Sequence, residues 1–273
     1  MTSAHHSKSI LWLSLPTALL IIFASTIGLS VIDFYSRESF NWQAQSIGQD
    51  LVDLFLLVPC LLITGFLSWR NYHVAKIIWG GVLLYLIYTF IIYCFDVHFN
   101  NLFVIYCFTL GLSFYSFIYF LYEETTESEV IEFKNSLPAR VVGIYFLIVP
   151  CLFYFLWLSE IIPAIIQNTV PKSLVETGLP TNPVHIIDLA LFLPGLFIVG
   201  ILLLRRNPMG ILLAPVILTF FILMDITIGF LIIVMNQRGL KSNLAVTVAM
   251  SILALFSLIL LIWYLRNIKP QST

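Results

Sequence analysis

The sequence predicts an all-α polytopic membrane protein of about eight transmembrane helices, built as two parallel four-helix repeats. Three observations carry that prediction. The chain is 60% hydrophobic and only 10% charged, where a soluble domain is about 25% charged. Apolar runs of about 20 residues, the length that crosses a hydrocarbon core of about 30 Å, recur along its 273 residues. And one stretch is written twice. Residues 50–70 read DLVDLFLLVPCLLITGFLSWR, and residues 185–205 read HIIDLALFLPGLFIVGILLLR. Asp53 falls on Asp188, Pro59 on Pro194, Gly65 on Gly200 and Arg70 on Arg205, all at one offset (188 − 53 = 205 − 70 = 135). Leucine matches between apolar helices are cheap. An Asp, a Pro, a Gly and an Arg in one phase mark an internal duplication.

The first run, 10–32, exceeds the apolar core of about 7–15 residues found in signal peptides, and no A-x-A site follows it. It is read as an uncleaved span. The others are expected over 47–69, 77–95, 102–122, 141–162, 184–204, 211–235 and 244–265. Four spans per half make helices 1–4 and 5–8 run the same way. The repeat is then parallel, with a pseudo-two-fold axis along the membrane normal. The halves are 1–140, an N-terminal repeat ending in an acidic cytoplasmic loop, and 141–273. Pro16 and Pro150 nearly keep the offset (150 − 16 = 134), while the third and fourth helices of each half have drifted.

Orientation follows the loop cations. With the N-terminus inside, nine Lys and Arg fall on cytoplasmic segments and four on outer loops, so both termini are expected in the cytoplasm. No N-x-[ST] sequon occurs, which fits a bacterial inner membrane. A net charge of −1 without a basic run argues against nucleic acid as a partner. The expected partners are the bilayer and a small solute or ion.

The inner loop 123–140 holds Glu123, Glu124, Glu127, Glu129 and Glu132 and reads as a solvated loop or helix extension. The outer loop 167–183 holds Pro171, Pro180 and Pro183 and is expected to be irregular. Four cysteines lie in apolar runs without a CxxC, and read as small fillers. Cys94 and Cys107 flank one short loop at similar depth, which keeps a redox pair open.

Candidate binding residues cluster in the duplicated stretch. Asp50 and Asp53 are three apart and share a helix face; His185 and Asp188 occupy the equivalent positions. All four lie near the outer end of their helices, about one turn inside the membrane boundary for Asp53 and Asp188. Capping of free N–H groups is a sufficient account of Asp50. It explains the deeper Asp53 and Asp188 less well, and His185 not at all. If the halves meet at their axis, these residues face one another. Asp53, His185 and Asp188 then form a candidate divalent-cation set, and the group a candidate proton-sharing cluster. Pro59 and Pro194 each remove a donor and free the carbonyl four residues earlier, at Phe55 and Ala190. Paired broken helices at equivalent repeat positions point to a transporter's binding site.

Asp225 sits 14 residues into the seventh run (225 − 211 = 14), within LTFFILMDITIGF. Its repeat counterpart is Phe90, so it breaks the symmetry. An acid at that depth is a functional residue by default, unless Thr227, a tyrosine or the backbone satisfies it. Tyr115, Tyr119 and Tyr122 share one helix face, as do Tyr85 and Tyr88, and read as packing or an interfacial belt. Trp42, Gln43, Gln45 and Gln49, with Asp96, His98, Asn100 and Asn101, read as wet loops above the cluster.

No G-x-x-x-x-G-K-[ST], G-x-G-x-x-G, H-E-x-x-H or G-x-S-x-G occurs, and no lysine is embedded in an apolar run. ATP hydrolysis, Rossmann cofactors, standard serine or zinc hydrolysis and a retinal Schiff base therefore have no support. The leading expectation is a small secondary transporter or permease, with an outward-facing Asp/His site between repeats and Asp225 as a coupling carboxylate. One alternative is an intramembrane metal- or acid–base-dependent enzyme acting on a lipid-linked substrate. The other is a non-catalytic membrane scaffold or sensor.

Overall fold

The structure, a computed structural model, describes residues 3–126 and 134–268. Among the described residues, eight helices are long and apolar enough to cross a membrane: Ser9–Ser30, Phe40–Trp69, His73–Asp96, Phe103–Thr126, Leu137–Gln167, Pro183–Leu204, Pro208–Gln237 and Leu244–Arg266. They are numbered spans 1 to 8 in chain order. Each overlaps an expected run, and the chain is an all-helical integral membrane protein. Span 2 differs most, beginning at Phe40 rather than 47. The Ser39 hydroxyl caps it by accepting the Trp42 N–H. Trp42, Ala44, Ser46, Gly48 and Asp50 are all buried, so the lead into this span is packed helix and not wet loop.

The chain divides into two compact units. One comprises Met1–Glu127 and Pro215–Leu261, the other Ser128–Ala214 and Ile262–Thr273. The first therefore holds spans 1–4 with most of spans 7 and 8. The second holds spans 5 and 6 with the remaining turns of 7 and 8. The division at 140 follows chain order; this one follows packing.

In lipid there is no hydrophobic drive between helices, so close approach over small residues replaces it. Within the first unit, a Cβ on Gly65 would lie 2.6 Å from Ser14 Oγ, and one on Gly80 would meet the Phe120 ring at 2.7 Å. Trp79 donates its indole N–H to Ser14 Oγ at 2.9 Å and lies edge-on to Phe120. Within the second unit, a Cβ on Gly200 would lie 3.1 Å from the Gly143 carbonyl. Thus span 2 meets span 1 at Gly65, and span 6 meets span 5 at the matching Gly200.

The two similar stretches, 50–70 and 185–205, fold alike turn by turn. Each contains one π-helical turn, Asp53–Leu57 in span 2 and Asp188–Phe192 in span 6. The Val58 N–H reaches back to the Asp53 carbonyl, and the Leu193 N–H to the Asp188 carbonyl. Pro59 and Pro194 are the second residues of the α-helices that follow. A proline removes a donor and crowds the carbonyl four residues back; one extra residue in the turn relieves both. Both helices end alike, with Asn71 at φ 64 and Arg206 at φ 57. Span 3 then begins at His73 and span 7 at Pro208, still 135 apart (208 − 73).

Two loop expectations are corrected. Glu123 and Glu124 are not solvated: they are 2% and 5% exposed. Lys76 Nζ pairs with them at 3.0 and 2.8 Å, and the Tyr119 hydroxyl donates to Glu123. Glu127, Glu129 and Glu132 lie outside the described residues. The 167–183 loop is not irregular throughout. Pro171 starts a short helix, Lys172–Thr177, and Gly178 ends it at φ 72. The Ser173 N–H donates to Glu160 at 3.0 Å. Of the tyrosines, Tyr85 and Tyr88 are buried in the first unit, whereas Tyr115 and Tyr122 are exposed.

Candidate functional site

In the first unit Asp50 is 1% exposed and held from two sides. The Tyr35 hydroxyl donates to Oδ2 at 2.8 Å and the Tyr93 hydroxyl donates to Oδ1 at 2.8 Å. Tyr93 comes from span 3; Tyr35 comes from the turn between spans 1 and 2. Gly28 makes the space, since a Cβ there would overlap Asp50 Oδ2 and lie 2.8 Å from the Tyr35 hydroxyl. The turn that carries Tyr35 is fastened in place. Glu38 accepts the His98 N–H at 2.7 Å and pairs with His98 Nδ1 at 2.9 Å. Arg37 donates to the Phe99 carbonyl and Trp42 Nε1 to the Asp96 carbonyl. Burial first, and then the charge of Asp50, push the Tyr35 phenol well above its usual range. Tyr35 therefore stays a neutral donor.

This geometry corrects the capping account of Asp50. The cap of span 2 is Ser39, eleven residues earlier (50 − 39 = 11). It also recasts the outer loop, because His98, read as part of a wet loop, is tied to Glu38.

Asp53 opens the π turn and is 0% exposed. Its Oδ1 accepts Gln49 Nε2 at 2.8 Å. The same amide reaches the Tyr85 hydroxyl at 3.3 Å. Tyr85 donates to Thr227 Oγ1 at 2.7 Å, and Thr227 to the Leu223 carbonyl at 2.8 Å. One polar chain thus crosses spans 2, 3 and 7 inside an apolar unit. Asp53 Oδ2 is fully buried and has no hydrogen-bond partner among the described residues.

Asp225 lies two residues from Thr227 on span 7 and is 7% exposed. Thr227, an expected partner, instead donates to the Leu223 carbonyl and accepts from Tyr85. No hydrogen bond or ion pair joins Asp225 to a described residue.

In the second unit Asp188 opens the matching π turn. The Trp157 indole N–H from span 5 donates to its Oδ2 at 2.9 Å. The His185 ring lies against the same indole, centroids 4.5 Å apart. His185 is placed by Asn182, whose side chain caps this helix through the His185 N–H. His185 also lines an open groove of about 530 Å³ with Ile161, Leu174, Asn182, Ile186 and Leu189. The Tyr154 hydroxyl donates to the Leu189 carbonyl, next to Ala190, at 3.3 Å.

The structure therefore brings Asp50 and Asp53 together in one unit, and His185 and Asp188 together in the other. Among the described residues, no group of three or more His, Cys, Asp or Glu side chains is placed to hold a metal ion. Sequence reasoning missed Tyr35, Tyr93, Gly28 and Trp157. Only the crowding of tyrosines in the third and fourth runs hinted at the donors. No family model, no curated protein and no solved structure matches this chain.

Proposed function

We propose that the protein is a small secondary transporter or permease in which buried acids handle a coupling ion. The unpartnered Oδ2 of Asp53 carries this reading. A carboxyl oxygen closed off from water in a membrane-spanning unit needs a proton, a cation or a partner that arrives during a cycle. Asp53 sits where such an ion is exchangeable: on a π turn, a frequent feature of functional sites, and on a polar chain linking three spans. Asp225 supplies a second acid, without a partner among the described residues, on one of those spans. Asp50, in its tyrosine cage, keeps an acceptor beside Asp53. His185 and Asp188 take the equivalent positions in the second half. The shared π turns, prolines and glycine contacts support duplication and, with it, two parallel repeats. In this reading both termini face the cytoplasm across a bacterial inner membrane, and the acids open outward.

The test is ion movement in reconstituted vesicles. Purified protein is placed in vesicles loaded with a pH-sensitive dye, with labelled sodium outside. A mixture of amino acids, sugars and organic acids is supplied on both sides. Wild-type vesicles are expected to move protons or sodium faster than protein-free vesicles. Asp53→Asn is expected to remain monodisperse and to lose at least tenfold of that flux. Wild-type flux equal to that of empty vesicles overturns the transporter reading.

A further inference from the structure

Apart from these acids, the first unit brings two thiols together. Cys94 lies in the last turn of span 3, which ends at Asp96, and Cys107 in the second turn of span 4, which starts at Phe103. Their side chains lie within hydrogen-bonding reach of each other. The residues just before them, Tyr93 and Tyr106, also touch, with ring centroids 5.0 Å apart. Successive residues point about 100° apart around a helix. The buried tyrosine pair therefore marks the inner line of this helix contact, and the cysteine pair its outer line. Cys94 is half-buried and Cys107 exposed, so a reagent can reach them. The connection between the spans is fastened by Glu38 to His98 and by Arg37 to Phe99, so the thiols are held facing each other rather than meeting by chance. Cys60 lies in span 2 and Cys151 in span 5; neither carries a comparable contact.

We infer that Cys94 and Cys107 form a reversible dithiol–disulfide pair that latches span 3 to span 4 beside the tyrosine cage of Asp50. The chemistry is thiol–disulfide exchange with an external disulfide, either a small molecule or an oxidised exchange protein. One cysteine thiolate attacks the external disulfide and releases one thiol. The second cysteine attacks the mixed disulfide and releases the other. The protein gives up two protons and two electrons, and one external disulfide becomes two thiols. Because Tyr93 precedes Cys94 directly, the latched state fixes the residue that holds Asp50 Oδ1.

The experiment counts thiols on the full-length protein in membranes, by alkylation with a mass-tagged maleimide after oxidised glutathione or reductant. The oxidised wild type is expected to expose two alkylatable thiols and the reduced protein four, without covalent dimers. Cys60→Ser and Cys151→Ser should each still lose two thiols on oxidation. Cys94→Ser and Cys107→Ser should lose none to an internal bond. Peptide mapping of the oxidised wild type should yield one linked pair containing Cys94 and Cys107, which keeps the test decisive if a variant misfolds. Four free thiols after oxidation, linkage to Cys60 or Cys151, or cross-linked dimers in place of the internal pair would each overturn the inference.

Discussion

Asp50 shows how one acid is accommodated at the residue scale. Its two oxygens are each taken by a phenol, and the room for them exists because residue 28 has no side chain. Gly28→Ala is expected to destabilise the protein by about 1–3 kcal/mol, the cost of overpacking a filled site. Denaturant unfolding in detergent measures it. Tyr93→Phe leaves an acceptor unpaired on a buried carboxylate and should cost about 1.5–3 kcal/mol, as hydrogen bonds to charged groups do. The folded-state phenol of Tyr35 is raised, so its contribution is complete below the unfolded value near pH 10 and is lost as pH rises from there through the higher folded value. Phenolate absorbance of wild type minus Tyr35→Phe should therefore show no ionisation of Tyr35 near pH 10. Ionisation there would mean that the hydroxyl does not face Asp50. The acids themselves were legible in the sequence, because a charge in an apolar run stands out. Their partners were not: Tyr35, Tyr93 and Gln49's contact Tyr85 are 15, 43 and 36 residues away from the atoms they meet. Nothing local encodes such pairings.

At the scale of the element, the π turn decides what the acids face. Asp53–Leu57 inserts one residue into span 2, so everything on its N-terminal side is rotated by about 100° relative to an unbroken α-helix. Deleting Leu54 is expected to restore a plain α-helix. It would turn Asp50 away from Tyr93 and Gln49 away from Tyr85 while leaving 58–69 in place. A labelled cysteine at 42 should then change its accessibility, whereas one at 66 should not. Unchanged labelling at both positions would show that the turn does not set the register. The sequence displayed the pieces of this element, an Asp and a Pro repeated at one offset. It did not display the turn itself. A span that is apolar on every face has no periodic stripe, so an extra residue leaves no phase shift to read. The same blindness applied to Glu123 and Glu124. Charges in a row read as solvated, and Lys76, near the start of span 3, together with the Tyr119 hydroxyl offsets the cost of their burial.

For the whole molecule, the count of spans was legible because bilayer thickness alone fixes it. The packing of spans 7 and 8 mostly with the first four was not, since any apolar helix can face any other. Orientation is checked by labelling: a cysteine at Glu127 should react only from the cytoplasmic side, and one at His98 or Asn168 only from outside. The sharpest test concerns Asp225. An Asp at mid-membrane costs about 2.5–3.5 kcal/mol on insertion scales. The structure gives it no described partner to offset that cost. If its role were structural, replacing it by Leu would strand a hydrogen-bonding group and weaken the fold. With no such group present, Asp225→Leu should be at least as stable as the wild type, by thermal unfolding in detergent. Asp225→Asn should likewise fold. If Asp225 binds the coupling ion, both variants must lose ion-driven accumulation in vesicles. Exchange of cargo between equal concentrations should persist, since exchange moves no net ion. A stable Leu variant that still accumulates cargo down an ion gradient would remove Asp225 from the cycle, and an unstable one would reveal a structural partner for its carboxyl group.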